Sequence, residues 1–253
     1  MTAVVRLAGV AKSFGAAQAL ADIDLDLHPG EVVAVVGDNG AGKSTLAGVL
    51  TGVHLPDAGQ VRVDGDAVTL TSPAAARALG IAGVQQELAL AENLDVVENL
   101  FLGHEPRIGP FLDEVTMERQ AWELLDRLGA RVPSVRLPVH ALSGGQRRAV
   151  AIARVLLGDP RVVVLDEPTA ALGVRQTAQV LKLIGRLRAG DHAVVLISHS
   201  ITDVQAVADR IVVLRLGHVV GEFDATTATS EDLLAAITGA GPVSGISARR
   251  SRP

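Results

Sequence analysis

At 253 residues, 48% hydrophobic and 20% charged, the chain can bury a sizeable core in one large domain or two small ones. Its 23 basic against 28 acidic residues leave a formal charge of −5, which excludes a global basic field for nucleic acid or anionic lipid. The absence of cysteine excludes a disulfide-stapled secreted domain and fits a reducing compartment.

The first residues, "MTAVVRLAGVAKSFG", lack the charged start, apolar core and cleavage site of a signal peptide. Residues 4–10, 23–28 and 60–64 alternate apolar with polar between Pro, Gly and Asp, and predict strands of an antiparallel patch. "EVVAVVG" (31–37) is apolar without alternation, as a central parallel strand covered on both faces should be. A helix is expected to open at Gly42 and stop at Gly52, and Ser72-Pro73 reads as an N-cap with proline at the first helical position. From about 88 to 158 the period turns helical, through "LDVVENLFLG", "TMERQAWELLDRLGA" with Thr116 as N-cap, and the segment after "LSGGQ". That stretch predicts a helical subdomain inserted into an α/β core. "RVVVLDEP" (161–168) and "HAVVLIS" (192–198) are two further central strands, each followed by a turn and a helical pattern. "RIVVLRLGHVVGEF" predicts a hairpin turning at Leu216-Gly217-His218, and "SEDLLAAITG" a short capped helix. The tail 241–253, small, polar and basic, is expected to be disordered. No apolar run approaches the length of a membrane span, so the expectation is a soluble intracellular protein that meets a membrane only through a partner chain.

The chemistry begins at "GDNGAGKST" (37–45), which satisfies GxxxxGK[ST] between a predicted strand and a predicted helix. In such a loop Gly37, Asn39, Gly40, Ala41 and Gly42 present backbone amides to phosphates. Lys43 neutralises the β/γ oxygens, Ser44 ligates Mg²⁺, and Thr45 belongs to the same nucleotide-binding set. In "VVVLDEPTAAL" (162–172) Asp166 ends a buried strand, at the sheet edge where ligands collect, and can hold magnesium or its water shell. Glu167 then either takes a proton from an attacking water or only pairs with a cation and caps the turn. "LSGGQ" (142–146) presents Ser143, Gly144, Gly145 and Gln146 at a helix start, either as an anion site without its own lysine or as a plain turn and N-cap. His199 lies just past the third strand, as a structural hydrogen bonder or a catalytic group; Gln86 belongs to a polar pair, and Phe14 by itself reads as core.

In order, the phosphate loop, the glutamine, "LSGGQ", "LDEPTAAL" and "SHS" together resemble the ATP-binding cassette (ABC) ATPases, with framing features that extend the match to about 1–240. The resemblance implies an α/β fold: a P-loop NTPase core with a mainly parallel sheet, an N-terminal antiparallel β patch and an inserted helical subdomain (88–158), all in one domain over 1–240. It implies that Phe14 stacks on adenine and that Gln86 senses Mg²⁺ and the γ-phosphate while facing a membrane partner. It makes Glu167 the general base and His199 a γ-phosphate contact, and it closes Ser143 and Gly145 of one copy over ATP held by a second. "GDNGAGKST", "QQELAL", "ENLFLG" and "PTAALGVRQT" look like the ATPases of bacterial monosaccharide importers, of the ribose, xylose and fructose kind, in single-cassette form. The implied assembly is ATP and Mg²⁺ between two copies, on a permease at the cytoplasmic face of the membrane, served indirectly by a solute-binding protein and without nucleic acid.

One departure stands out. Where many cassettes read Ser-Ala-Leu-Asp, this chain has Ala170-Ala171-Leu172-Gly173, which removes an acid that helps couple the two sites. Three other readings compete: a cassette protein acting on ribosomes or nucleic acid, an importer ATPase for a non-sugar solute, and a non-catalytic nucleotide-binding module. The acidic balance and the lack of a long coiled-coil insertion oppose the first. Lys43, Asp166, Glu167 and His199 occurring together oppose the last.

Overall fold

The computed structural model describes residues 2–240, so the expected disordered tail lies outside the described residues. Val32–Val36 (β3), Ile81–Val84 (β6), Val162–Asp166 (β9), Ala193–Ile197 (β10), Arg210–Arg215 (β11) and His218–Asp224 (β12) form a six-stranded sheet in the order β12-β11-β3-β10-β9-β6. Every pairing in it is parallel except the β11–β12 edge. The unalternating valines follow from two-sided burial. Val32, Ala34 and Val36 enter one core with the helices, and Val33 and Val35 enter the other. Each such valine contributes about 1.5–3 kcal/mol relative to exposure.

The second core is closed by a four-stranded sheet of Val5–Phe14 (β1), Ala17–Leu27 (β2), Ala58–Val63 (β4) and Asp66–Val68 (β5), in the order β2-β1-β4-β5. Its pairings are antiparallel, as the alternating segments predicted. Strand β2 starts well before residue 23, because its first half, residues 17–22, pairs with β1 and buries Leu20 although it lacks a regular alternation. Lys43–Leu50 (α1) packs into this same core through Leu46, Val49 and Leu50, and Pro73–Ala78 (α2) is capped by Ser72, whose Oγ accepts from Ala75 N at 3.2 Å.

On the other face Val96–Phe101 (α3), Glu114–Arg127 (α4) and Gly144–Leu156 (α5) share one apolar cluster with the sheet. It also takes in Val174–Ala189 (α6), Ile201–Val207 (α7) and Ser230–Thr238 (α8). Two expectations need correcting here. Thr116 does not cap α4: Asp113 does, its carboxylate accepting from Thr116 N at 3.1 Å. An acid at the N-cap faces the positive end of the helix dipole, which favours the earlier start. The 88–158 stretch also holds a small exposed hairpin, Arg107–Ile108 (β7) with Phe111–Leu112 (β8), that helical periodicity concealed. The hairpin after β11 turns on Leu216 and Gly217, both at positive φ, as a two-residue turn of matching twist requires.

Candidate functional site

The parallel order brings the ends of β3, β9 and β10 side by side, so three chain segments distant in sequence converge at one sheet edge. After β3 the loop 37–42 leads into α1. It needs glycine for two reasons of space: a Cβ at Gly37 would strike the Leu214 carbonyl, and one at Gly42, which is at φ 105°, the Ala19 carbonyl. The N-cap of α1 is Gly42, with no side-chain cap, so the helix's first N–H groups are left to other acceptors. Lys43 is 8% exposed and donates from Nζ to Gly37 O at 2.8 Å and Asp38 O at 2.9 Å. Among the described residues no carboxylate stands at ion-pair distance from it. A nearly buried ammonium without an ion-pair partner, beside free helix amides, suits this end to an anion. Asn39, Gly40 and Ser44 are exposed around it, Ala41 is buried, and Thr45 is half-buried.

Asp166 closes β9. Its Oδ1 is buried and has no hydrogen-bond partner among the described residues. Burial pushes its carboxyl above the ordinary range; the Ser44 hydroxyl pulls it back, the neighbouring Glu167 pushes it up and Lys43 pulls it down. An oxygen donor set of Asp166 and Ser44 fits a hard cation such as Mg²⁺. Glu167 follows at φ 49°, a left-handed conformation rare for a residue with a Cβ. Its N–H donates to Ile197 O at 3.0 Å, which ties the turn to the end of β10. Its mostly buried carboxylate lies 2.8 Å from Nδ1 of the exposed His199. The geometry thus joins Glu167 and His199, which the sequence left as separate candidates.

Phe14, expected as core from its residue type alone, is 47% exposed at the end of β1. It stands edge-on to His54 with centroids 5.1 Å apart, and Lys12 Nζ lies 5.6 Å from its ring centre. An exposed ring with free area is able to stack on a flat ligand.

The "LSGGQ" segment lies on a different part of the surface, at the start of α5. Ser143 Oγ accepts from Gln146 N at 3.3 Å while Gln146 Oε1 accepts from Ser143 N at 2.9 Å, a complete capping box. Gln146 Nε2 donates to Arg131 O at 2.9 Å, which ties both ends of that side chain to the backbone. Gly144 and Gly145 pack on α6 and its approach: a Cβ on Gly144 would lie 3.0 Å from Leu172 Cδ2, and one on Gly145 3.2 Å from Gln176 Cβ. Gly173 is the N-cap of α6 and makes no side-chain cap. Gln86 is exposed beyond β6, on the wall of a cleft of about 1170 Å³ that Gln85, Leu100, Leu102, Arg77 and Arg154 also line.

Sequence reading passed over Arg148. It is 6% exposed on α5, where burial pushes its guanidinium down from the ordinary value and the Glu167 carboxylate pushes it up. The available signal was an arginine one helical turn before Ile152, on the apolar stripe of an amphipathic helix.

The family model described as ABC transporter matches residues 20–170, a span holding the phosphate loop, "LSGGQ" and the Asp166-Glu167 strand. The chain belongs to the ABC transporter family. This ABC chain is 42% identical to the fructose import ATP-binding protein of Rhizobium meliloti, over 92% of each. It is 42% identical to the xylose/arabinose import ATP-binding protein of Sulfolobus acidocaldarius, over 87% of this chain and 88% of the relative. The ribose import ATP-binding protein of Jannaschia sp. is 44% identical over 86% of this chain, which spans 42% of that longer relative. Among solved structures, the ATP-binding cassette MJ1267 superposes with a TM-score of 0.83 at 26% identity, over 94% of this chain and 98% of that one. The cassette MJ0796, dimeric and bound to ADP and phosphate, gives 0.73 at 27% identity over 87% and 98%. The family and fold drawn from the motifs are those of this ABC chain.

Proposed function

We propose that this chain is the ATP-hydrolysing subunit of an ABC importer for a simple sugar. Residues 1–240 act as one cassette, with 88–158 inserted as its helical part. Two copies sandwich two ATP molecules, each held by the 37–45 loop of one copy and covered by Ser143, Gly144 and Gly145 of the other. Phe14 stacks on the adenine. Lys43 holds the terminal phosphates, and Glu167 accepts the proton of the attacking water while His199, on the same carboxylate, contacts the γ-phosphate. Asp166, Ser44 and Gln86 would hold Mg²⁺, which when bound neutralises charge on the phosphate oxygens.

The single observation that carries this is the carboxylate pair at the sheet edge: a buried, unpartnered Asp166 Oδ1 beside a Glu167 gripped by His199 at 2.8 Å. A nucleotide module that only bound would need neither. Sugar import is supported by the fructose, xylose/arabinose and ribose import names of the relatives. A permease segment docks along 88–105 and the cleft beside Gln86, and it draws the subunit to the cytoplasmic face of the membrane as a peripheral protein. No helix among the described residues is long and apolar enough to span it. A sugar-loaded binding protein acts on the permease, not on this chain.

The experiment is Glu167→Gln on a sizing column with and without saturating MgATP, alongside phosphate release. The expected result is an ATP-dependent dimer with turnover reduced at least about a thousandfold. A variant that stays monomeric, or one that still hydrolyses at the parent rate, overturns the sandwich with Glu167 as base.

A further inference from the structure

Two arginines of α5 grip the loop that carries Gln86, and they grip it by its backbone. Arg148 Nη1 donates to Gln86 O at 3.2 Å. Arg154, further along the same helix, donates to Ala89 O at 2.8 Å and to Leu88 O at 3.3 Å. Within this loop Ala89 sits at φ 47°, which alanine does not adopt by preference. Its path is therefore imposed by contacts outside the loop. Because only carbonyls are held, the Gln86 side chain stays free.

Arg148 also reaches a third segment. Its Nη2 donates to Ala170 O at 3.3 Å, and Ala170 N closes the turn back onto Glu167 O at 3.2 Å. One guanidinium therefore spans α5, the Gln86 loop and the turn that begins at the strained Glu167. Its Nε is buried and unpartnered, and no carboxylate lies at ion-pair distance among the described residues. For stability alone this is a poor arrangement, since a buried charge with an unmet donor is worse than an apolar side chain of the same shape. A planar fork nevertheless holds two carbonyls from separate segments in one fixed geometry, which a single-point ammonium on a flexible stem does not.

We propose that Arg148 is a positioning residue that ties the Gln86 loop and the Glu167–Leu172 turn to α5, so that the three shift as one body. It rests on the proposed function in one respect: α5 starts at Ser143-Gly144-Gly145, the part that closes on the second copy's nucleotide. A permease segment pressing on Gln86 would then be felt at Glu167 and at the covering loop through the same side chain.

The test uses the full chain as Arg148→Met, which keeps the length and removes the fork, and Arg148→Lys, which keeps the charge and reaches one carbonyl. Amide hydrogen exchange without nucleotide, melting temperature and steady-state ATPase are measured. For Arg148→Met the expectation is exchange over 86–90 faster by about tenfold with α1 unchanged, kcat down about tenfold, and KM for ATP within about twofold. Arg148→Lys should hold the parent melting temperature yet lose about threefold in kcat, because one of the two ties is gone. Unchanged exchange over 86–90, parent-like kcat in either variant, or a KM that rises in step with the fall in kcat overturns the proposal. If Arg148→Met does not fold, Arg148→Lys decides by the same criteria. A parent chain that fails to hydrolyse ATP sinks the proposed function instead, and the nucleotide-free exchange still shows whether the ties hold.

Discussion

The chain has two glycine-bearing helix starts, at α1 and α5, and they are built in opposite ways. At α1 the N-cap is a glycine without a side chain, the first amides are unclaimed, and a nearly buried Lys43 has no counter-charge among the described residues. At α5 the serine and glutamine satisfy each other in a closed capping box, and the motif carries no lysine. The first start leaves its opening amides without side-chain caps and sets a lysine beside them. The second satisfies the Ser143 and Gln146 amides within its own capping box and leaves those of Gly144 and Gly145 without a partner among the described residues. On the proposed function, the first start would bind nucleotide by itself and the second would add contacts once a nucleotide is presented to it.

The largest effect that tests this contrast is Lys43→Ala. With the buried cation of the α1 site removed, ATP affinity is expected to fall by about a hundredfold in a titration. Ser143→Ala should leave single-copy affinity unchanged. Equal losses in both would erase the distinction between the two starts.

The next test separates the halves by mixing. A Lys43→Ala copy has a sound "LSGGQ" segment, and a Gly145→Asp copy has a sound 37–45 loop; each alone should be inactive. In an equimolar mixture half the dimers are mixed and each of those has one intact site, so about a quarter of the parent ATPase is expected if the sites run independently. Gly173, the N-cap of α6, has no side chain to reach across to a second copy, which favours independence. A mixture that stays inactive would break this expectation.

Asp166 offers a smaller effect with a definite sign. Burial raises its folded pKa above the ordinary aspartate value, so the fold binds more protons than the unfolded chain between the two values. Stability then falls as pH rises through that window and stays lower above it. Asp166→Asn, neutral at every pH, should melt a few degrees higher than the parent at neutral pH without metal. The gap should close as pH drops towards the ordinary aspartate range. Added MgATP should reverse the order at neutral pH, because only the parent has the carboxylate. A gap that does not change with pH would mean that the carboxyl is not desolvated.

What the sequence made legible follows the same division. The α1 site is written locally, in one valine strand, one glycine loop and one lysine, and β9 and β10 repeat the valine signal, so strands and motif could be read together. Thr116 misled because Asp113, three residues earlier, offers a stronger cap at the dipole's positive end. The β7–β8 hairpin was hidden because its two-residue strands are exposed and carry no period. Arg148 was illegible for a deeper reason: its partners are the carbonyls of Gln86 and Ala170, and every residue has a carbonyl. The Glu167–His199 contact likewise depends on β9 and β10 being neighbours, which the topology decides and a motif does not.

The smallest effect sharpens the comparison most, because the molecule contains its own control. Asp95 and Glu98 close a capping box at the start of α3, with Glu98 N donating to Asp95 Oδ1 at 2.7 Å and Asp95 N to Glu98 Oε2 at 2.8 Å. This is the arrangement of Ser143 and Gln146 on a helix that carries no glycine pair. Asp95→Ala and Ser143→Ala should each cost about 1 kcal/mol in denaturant unfolding, since each removes one cap and the 3.6 Å contact of Asp95 with the half-exposed Arg136 adds little. If Ser143 is only a cap, their ATPase rates will also match. If its hydroxyl completes a site across the dimer, Ser143→Ala should lower kcat about tenfold while Asp95→Ala leaves it within about twofold. Equal stability loss with unequal turnover is the result that gives Ser143 a second role.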